Sequence, residues 1–271
     1  MKTPWHLLNP LTNTAILLPA ICDDGRDILI DMSCAGNDLP AALAARGRTI
    51  ADIAHILITH DHGDHFLPES ARCFLGTNTL IHIVEYGYQR LMKDPVFASV
   101  RPIVLELDAA GLFRRLPNSG QANFSGVEVF WQNTWHLDTI NLSFRIRDIL
   151  ISGDTPYSNL FTSPSAPIFA SGSSGPIRTA ILQTTLLDAR DARTRDERES
   201  DIQKRLTCTG TGEALIELMK NPDWATFFCA LETIVPHHLR CYPLEDLANA
   251  IRTAFTSVAR EQGYTFNVQF E

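Results

Sequence analysis

The run His60-Asp61-His62-Gly63-Asp64-His65 follows directly on an apolar stretch, I-A-H-I-L-I-T, from Ile53 to Thr59, and three of the chain's nine histidines lie within its six positions. A short, nearly continuous apolar stretch fits a strand buried on both faces, as in a parallel sheet covered by helices. The polar run then leaves the end of that strand as a loop anchored on one side by the core. Residues two apart in extended backbone project to the same side, which predicts that His60 and His62 share one ion. Gly63 would let the backbone reverse so that Asp64 and His65 face a second ion. Neutral imidazole and carboxylate suit zinc, in sites that keep a position open for water. Chance produces such a spacing on the order of 10⁻³ times per chain of this composition, so an incidental exposed turn is the weaker reading.

The rest of the chain alternates strand and helix signals. The first half predicts two strands between Ala15 and Met32 around Asp24-Gly25, a helix over Leu39–Arg46, and a helix over Glu69–Leu75 opened by Pro68. A strand over Leu80–Val84, a helix over Tyr86–Met92 and a strand over Ile103–Leu107 follow. From Gly126 the pattern predicts strands at Val127–Trp131, Leu142–Ile146 paired with Ile149–Ser152, Thr179–Gln183, Thr233–Pro236 and Tyr264–Phe270. Helices are predicted at Gly212–Lys220 and Pro243–Gln262, the latter with apolar residues at helical spacing. This is an α/β pattern, and 271 residues suffice for a full core in one compact domain.

A net charge of −8 argues against a broad surface for duplex DNA, which binds through clustered Lys and Arg. The six cysteines form no C-x-x-C pair and read as thiols of a reducing compartment. The first residues, M-K-T-P-W-H-L-L-N-P, lack the apolar core of a signal peptide, and no apolar run approaches the ~20 residues of a membrane span. A cytoplasmic location and no membrane partner are expected.

The run His60, His62, Asp64, His65 resembles the defining motif of the metallo-β-lactamase superfamily. Three further motifs of that family stand in order: T-W-H-L with His136, I-S-G-D-T with Asp154, and I-V-P-H-H with His237 or His238. The resemblance implies an αββα sandwich, two mixed sheets flanked by helices, forming one domain over 1–271 with similar halves of about 1–125 and 126–271. It places the metals at one edge between the halves. It further implies two divalent ions, zinc in the first instance with manganese as the alternative. His60, His62 and His136 would hold one ion, Asp64, His65 and His237 the other, and Asp154 would bridge them. His237 is preferred to its neighbour because adjacent strand residues leave opposite faces and its register matches the family's strand end. His238 is then a candidate proton donor, with a structural role as the competing reading.

On this resemblance the reaction is hydrolysis by a zinc-bound hydroxide that Asp64 orients. Aspartate at 154, where one group of zinc β-lactamases uses cysteine, disfavours that group, and His62, where oxygen-reducing di-iron relatives usually carry glutamate, disfavours redox chemistry. The segments D-I-L-I-D-M-S and I-V-P-H-H-L-R-C-Y-P look most like the phosphodiesterase branch, which includes the tRNA 3′-processing endonuclease and cyclic phosphodiesterases. The endonuclease's E-x-T glutamate is replaced here by Gln183 in Q-T-T, and its H-S-T histidine by C-T-G-T at 208–211. Glutamine cannot carry a proton as glutamate does, so a small cyclic or nucleotide-like phosphodiester is expected rather than ordinary tRNA. The alternatives are a lactone or other carboxylic ester on the same metals, and a non-catalytic binding module of the same fold. The partner implied is a small-molecule or nucleotide substrate, and a homodimer is left open. The Ser/Pro/Gly-rich stretch 161–176 is either a loop over the metals or a plain surface loop, and the charged run 188–201 reads as a solvated helix face or a mobile segment rather than a nucleic-acid contact.

Overall fold

A computed structural model describes residues 5–8, 15–34, 38–170, 175–183, 212–237 and 244–269. Backbone pairing gives two sheets. The first has the order β1 (His6–Leu7), β2 (Ile16–Leu18), β3 (Asp27–Ile30), β4 (Ile53–Leu57), β5 (Leu80–Val84), β6 (Phe113–Leu116). The second runs, from one edge, β13 (Asn267–Val268), β12 (Thr233–His237), β11 (Thr179–Gln183), β10 (Ile149–Ile151), β9 (Thr139–Ile146), β8 (Val127–His136), β7 (Gly120–Phe124). Both are mixed: β2–β3 is antiparallel while β3 to β6 run parallel, and β9–β10 is antiparallel while β10 to β13 run parallel.

The chain divides into two compact units, residues 1–133 with 139–142, and residues 134–138 with 143–271. In the first unit every residue of β3 and β4 is buried, the outcome expected of parallel strands covered on both faces. The crossovers carry helices α1 (Leu39–Ala44), α2 (Pro68–Ala71), α3 (Glu85–Lys93) and α4 (Arg101–Ala109). Their apolar sides, including Leu39, Leu43, Tyr88, Leu91 and Leu107, join Leu29, Ile56, Ile58, Ile81 and Phe74 in one core. Asp38 caps α1 by accepting from the Ala41 amide at 3.0 Å. Truncating Phe74, which is fully buried, would cost about 3–5 kcal/mol.

In the second unit α5 (Tyr157–Leu160), α6 (Gly212–Lys220), α7 (Ala225–Ala230) and α8 (Leu244–Gln262) accompany the parallel strands. Leu150, Ala180, Leu182 and Ile234 of the sheet pack with Leu215, Met219, Phe228, Ile251 and Phe255 of the helices in a second core. No helix among the described residues is long and apolar enough to cross a membrane.

Two sequence expectations are corrected and two strands are added. Ile103–Leu107 is not a strand but the middle of α4, where Ile103, Val104 and Leu107 share a buried side and Pro102 occupies the first turn. The apolar cluster is too short for its period to decide between strand and helix. The polar strands β6 and β7 went unrecognised because F-R-R-L and G-Q-A-N-F hold few apolar residues and lie near or at sheet edges. The final strand shrinks to Asn267–Val268. The charged run 188–201 and the C-T-G-T segment at 208–211 lie outside the described residues.

Candidate metal centre

β4 ends at Leu57, and the next residues turn instead of staying extended. The amides of His65 and Phe66 both donate to the His62 carbonyl at 2.9 Å, closing a helical turn over 62–66. That turn carries His65 back toward His62. His60 Nε2 lies 3.1 Å from His62 Nδ1, and the His60 and His65 rings stand 3.9 Å apart, centre to centre. Gly63 is not the hinge expected from the sequence: its φ lies outside the left-handed region, and a Cβ added there would meet nothing within 4 Å. Asp64 sits half-buried on the turn.

Asp31, just past the end of β3, holds this cluster from behind. Ile30 pairs with Leu57, so the ends of β3 and β4 are neighbours in the sheet. Asp31 adopts φ 52°, a conformation that aspartate tolerates better than most residues. Its Oδ2 is 2.8 Å from His65 Nδ1, and its carboxylate accepts from the Thr59 amide at 2.8 Å and from the Thr59 hydroxyl. Burial pushes the Asp31 pKa up, against the opposing pull of His65 and Thr59. With Nδ1 bound to a carboxylate, Nε2 of His65 is the nitrogen presented as a ligand, the carboxylate–histidine pairing typical behind metal-binding imidazoles.

Asp61, between the two histidines, is buried and faces the other way. It pairs with Arg90 of α3 at 3.0 Å and accepts the Thr139 hydroxyl proton. Burial raises its pKa, while Thr139 and Arg90 oppose the rise. The Leu142 amide donates to the Thr59 carbonyl at 2.8 Å, so the loop is tied to the start of β9 at two points. Neither Asp31 nor the Asp61–Arg90–Thr139 clamp was singled out from sequence. The available signal was a charged residue ending the buried strand D-I-L-I-D.

In the second unit β8 alternates strictly at its end: Thr134 and His136 are buried, and Trp135 and Leu137 are about half exposed. Asp154 follows Gly153, whose φ of 58° turns the chain sharply after β10. His136 Nε2 lies 3.9 Å from Asp154 Oδ2, both side chains buried. His237 ends β12 opposite Gln183 of β11, and His238 lies outside the described residues.

The chain thus carries histidine and aspartate groups that could bind metal. The donor set fits a divalent ion: ligand atoms about 2.0–2.2 Å from one ion stand roughly 3–3.5 Å apart, as the His60 and His62 nitrogens do.

Among solved structures, the chain is similar to a metallo-β-lactamase fold protein, YhfI, from Bacillus subtilis, at 11% identity and TM-score 0.59 over 98% of this chain and 94% of that one. The chain has the metallo-β-lactamase fold. It is also similar to a diphosphatase of the PhnP family, at 13% identity and TM-score 0.58 over 88% of this chain and 77% of that one. A variant of the CmlA β-hydroxylase shares the fold at 16% identity and TM-score 0.57, over 99% of this chain but 53% of that one. No family model and no curated protein matches the chain. A fold that serves both a diphosphatase and a hydroxylase leaves the choice of chemistry to the site residues.

Proposed function

We propose that the protein is a metal-dependent hydrolase of small phosphodiesters, cyclic or nucleotide-like, with two divalent ions at one centre. On this reading His60, His62 and His136 would hold one ion, Asp64, His65 and His237 the other, and Asp154 would be a ligand common to both. The observation that supports it is the close approach of the His60, His62 and His65 rings just after β4, with His65 oriented by Asp31. Such ions, when bound, supply a water activated near neutral pH and neutralise charge that develops on the substrate. The donors are nitrogen and carboxylate, as zinc prefers, with manganese the alternative.

The chain's own groups have separable tasks in this proposal. Asp64 accepts a hydrogen bond from the attacking water and orients it. His238 gives the proton to the leaving oxygen, a role Gln183 cannot take because an amide is too weak an acid to serve as a proton donor near neutrality. Asp31 keeps the His65 ring in one tautomer and one direction. Histidine at 62 and aspartate at 154 favour hydrolysis over oxygen chemistry in such a centre, and the likeness to a diphosphatase favours a phosphate ester.

The test is metal content together with turnover of bis(p-nitrophenyl) phosphate, a panel of cyclic nucleotides and a panel of lactones, with zinc and with manganese. The proposal expects about two ions per chain, phosphodiester turnover, and loss of turnover in His62→Ala but not in Gln183→Ala. Turnover of lactones alone would transfer the site to carboxylic esters. Less than about one ion per chain, with no turnover, would leave a binding module.

A further inference from the structure

The second unit has a pocket that takes no part in the reading above. Its volume is about 390 Å³, and its walls include Phe169, Pro176, Ile177, Asp223, Trp224 and Phe227. The aromatic wall is preassembled. Phe169 and Trp224 meet edge to face at 4.9 Å between centroids, Trp224 and Phe227 at 6.0 Å, and Phe161 packs behind them at 5.0 Å from Trp224. Trp224 is buried, while Phe169 and Phe227 are half-buried and keep ring surface open to the pocket.

The wall formed by the loop is fixed in place. Arg145, fully buried on β9, donates to the carbonyls of Ile168, Ala170 and Gly175, and its Nε donates to the Arg147 carbonyl at 3.0 Å. One guanidinium therefore ties down both limbs of the loop that presents Phe169 and Pro176. Charged hydrogen bonds of this kind are among the stronger ones, so the pocket is shaped before any ligand arrives.

The chemistry of the walls is one-sided. Among the described residues no lining residue is cationic, and the one charge there is the Asp223 carboxylate, exposed on the turn Pro222–Trp224. The Asp223 amide is held by the Asn221 side chain at 3.0 Å, which fixes the backbone there. Aromatic faces carry negative potential and attract cations, most strongly those that are weakly hydrated. A carboxylate at the side of the same hollow adds to that attraction and repels anions.

We propose that this pocket binds a small organic cation: an alkylated ammonium group carried on an apolar or aromatic body. The body lies against Phe169, Trp224 and Phe227, and the charge is shared between ring faces and Asp223. The site is separate from the metal chemistry and does not rest on it.

The test uses the full chain and titrates benzyltrimethylammonium chloride by saturation-transfer NMR, with phenylacetate and benzyl alcohol as anionic and neutral comparators. Saturable binding of the cation in the millimolar range or tighter is expected, weakening with added salt, with phenylacetate showing none. Asp223→Asn, on an exposed turn, should weaken the cation about three- to fivefold and benzyl alcohol not at all. Phe169→Leu keeps the apolar volume while removing a ring face, and should weaken the cation by about twofold or more. Absence of saturation below about 10 mM, equal binding of phenylacetate, or a cation affinity unchanged in both variants overturns the proposal.

Discussion

Acidification probes the interior of the first unit through two buried histidines. His55 on β4 and His82 on β5 face each other, Nδ1 of the first 3.1 Å from Nε2 of the second, and Phe124 stacks on His82. Ser125 Oγ lies 2.8 Å from His55 Nε2, and the charges acting on the pair are Arg26 and Asp24 at His55 and Arg114 at His82. Burial above all, then His55 and Arg114, lowers the His82 pKa from 6.5 to about 3. The folded protein therefore keeps His82 neutral where the unfolded chain takes up a proton. Stability is undiminished above the unfolded value and falls with pH through the window from 6.5 to about 3. Each unit of pH in that window costs ~1.4 kcal/mol, so about pH 5 is roughly 2 kcal/mol less favourable than neutral pH on account of His82 alone. His82→Phe keeps a ring against Phe124 and cannot take the proton. Urea unfolding followed by circular dichroism, with chelator present, should show wild type losing about 2 kcal/mol more than His82→Phe between neutral pH and about pH 5. At neutral pH the variant should be the less stable, because His55 loses its partner. Apart from His55, whose ring contacts position 82, the other titrating groups are unchanged, so parallel pH dependences would refute the reasoning.

Asp31→Asn should lower zinc affinity about 10- to 100-fold, measured by competition with a chromophoric chelator, because the His65 ring loses its charged partner. Gly63→Ala should change unfolding free energy by no more than about 0.5 kcal/mol and leave metal content intact, as its Cβ meets open space. Arg90→Met should cost about 3 kcal/mol in urea unfolding by stranding the buried Asp61 carboxylate, and adding Asp61→Asn should recover part of it. Additive losses in that pair of substitutions would count against the clamp.

The contrast between His60–His65 and its supports shows what a linear chain discloses. The candidate ligand run stands out because metal chemistry demands particular side chains at short spacing, and the strand before it was legible because burial on both faces demands an unbroken apolar run. The geometry joining them was not, because a helical turn and an extended loop can both bring His60 beside His62. The amide bonds to the His62 carbonyl, which fix where His65 stands, are a product of folding that the spacing alone does not show. The supports were hidden for a different reason: Asp31 and Thr139 act across 34 and 78 positions of sequence, and nothing local marks a carboxylate that bonds His65 apart from one that caps a turn. A similar limit explains the misplaced strand at Ile103–Leu107. Its few apolar residues satisfy two periods, and the choice is made by Pro102 at the helix start and by the core that Ile103, Val104 and Leu107 enter together. Candidate ligands are thus displayed by a sequence, whereas the directions of their rings are set by distant partners that folding supplies. For that reason the substitutions that most sharply test this centre are at Asp31, Asp61 and Arg90 as much as at the histidines themselves.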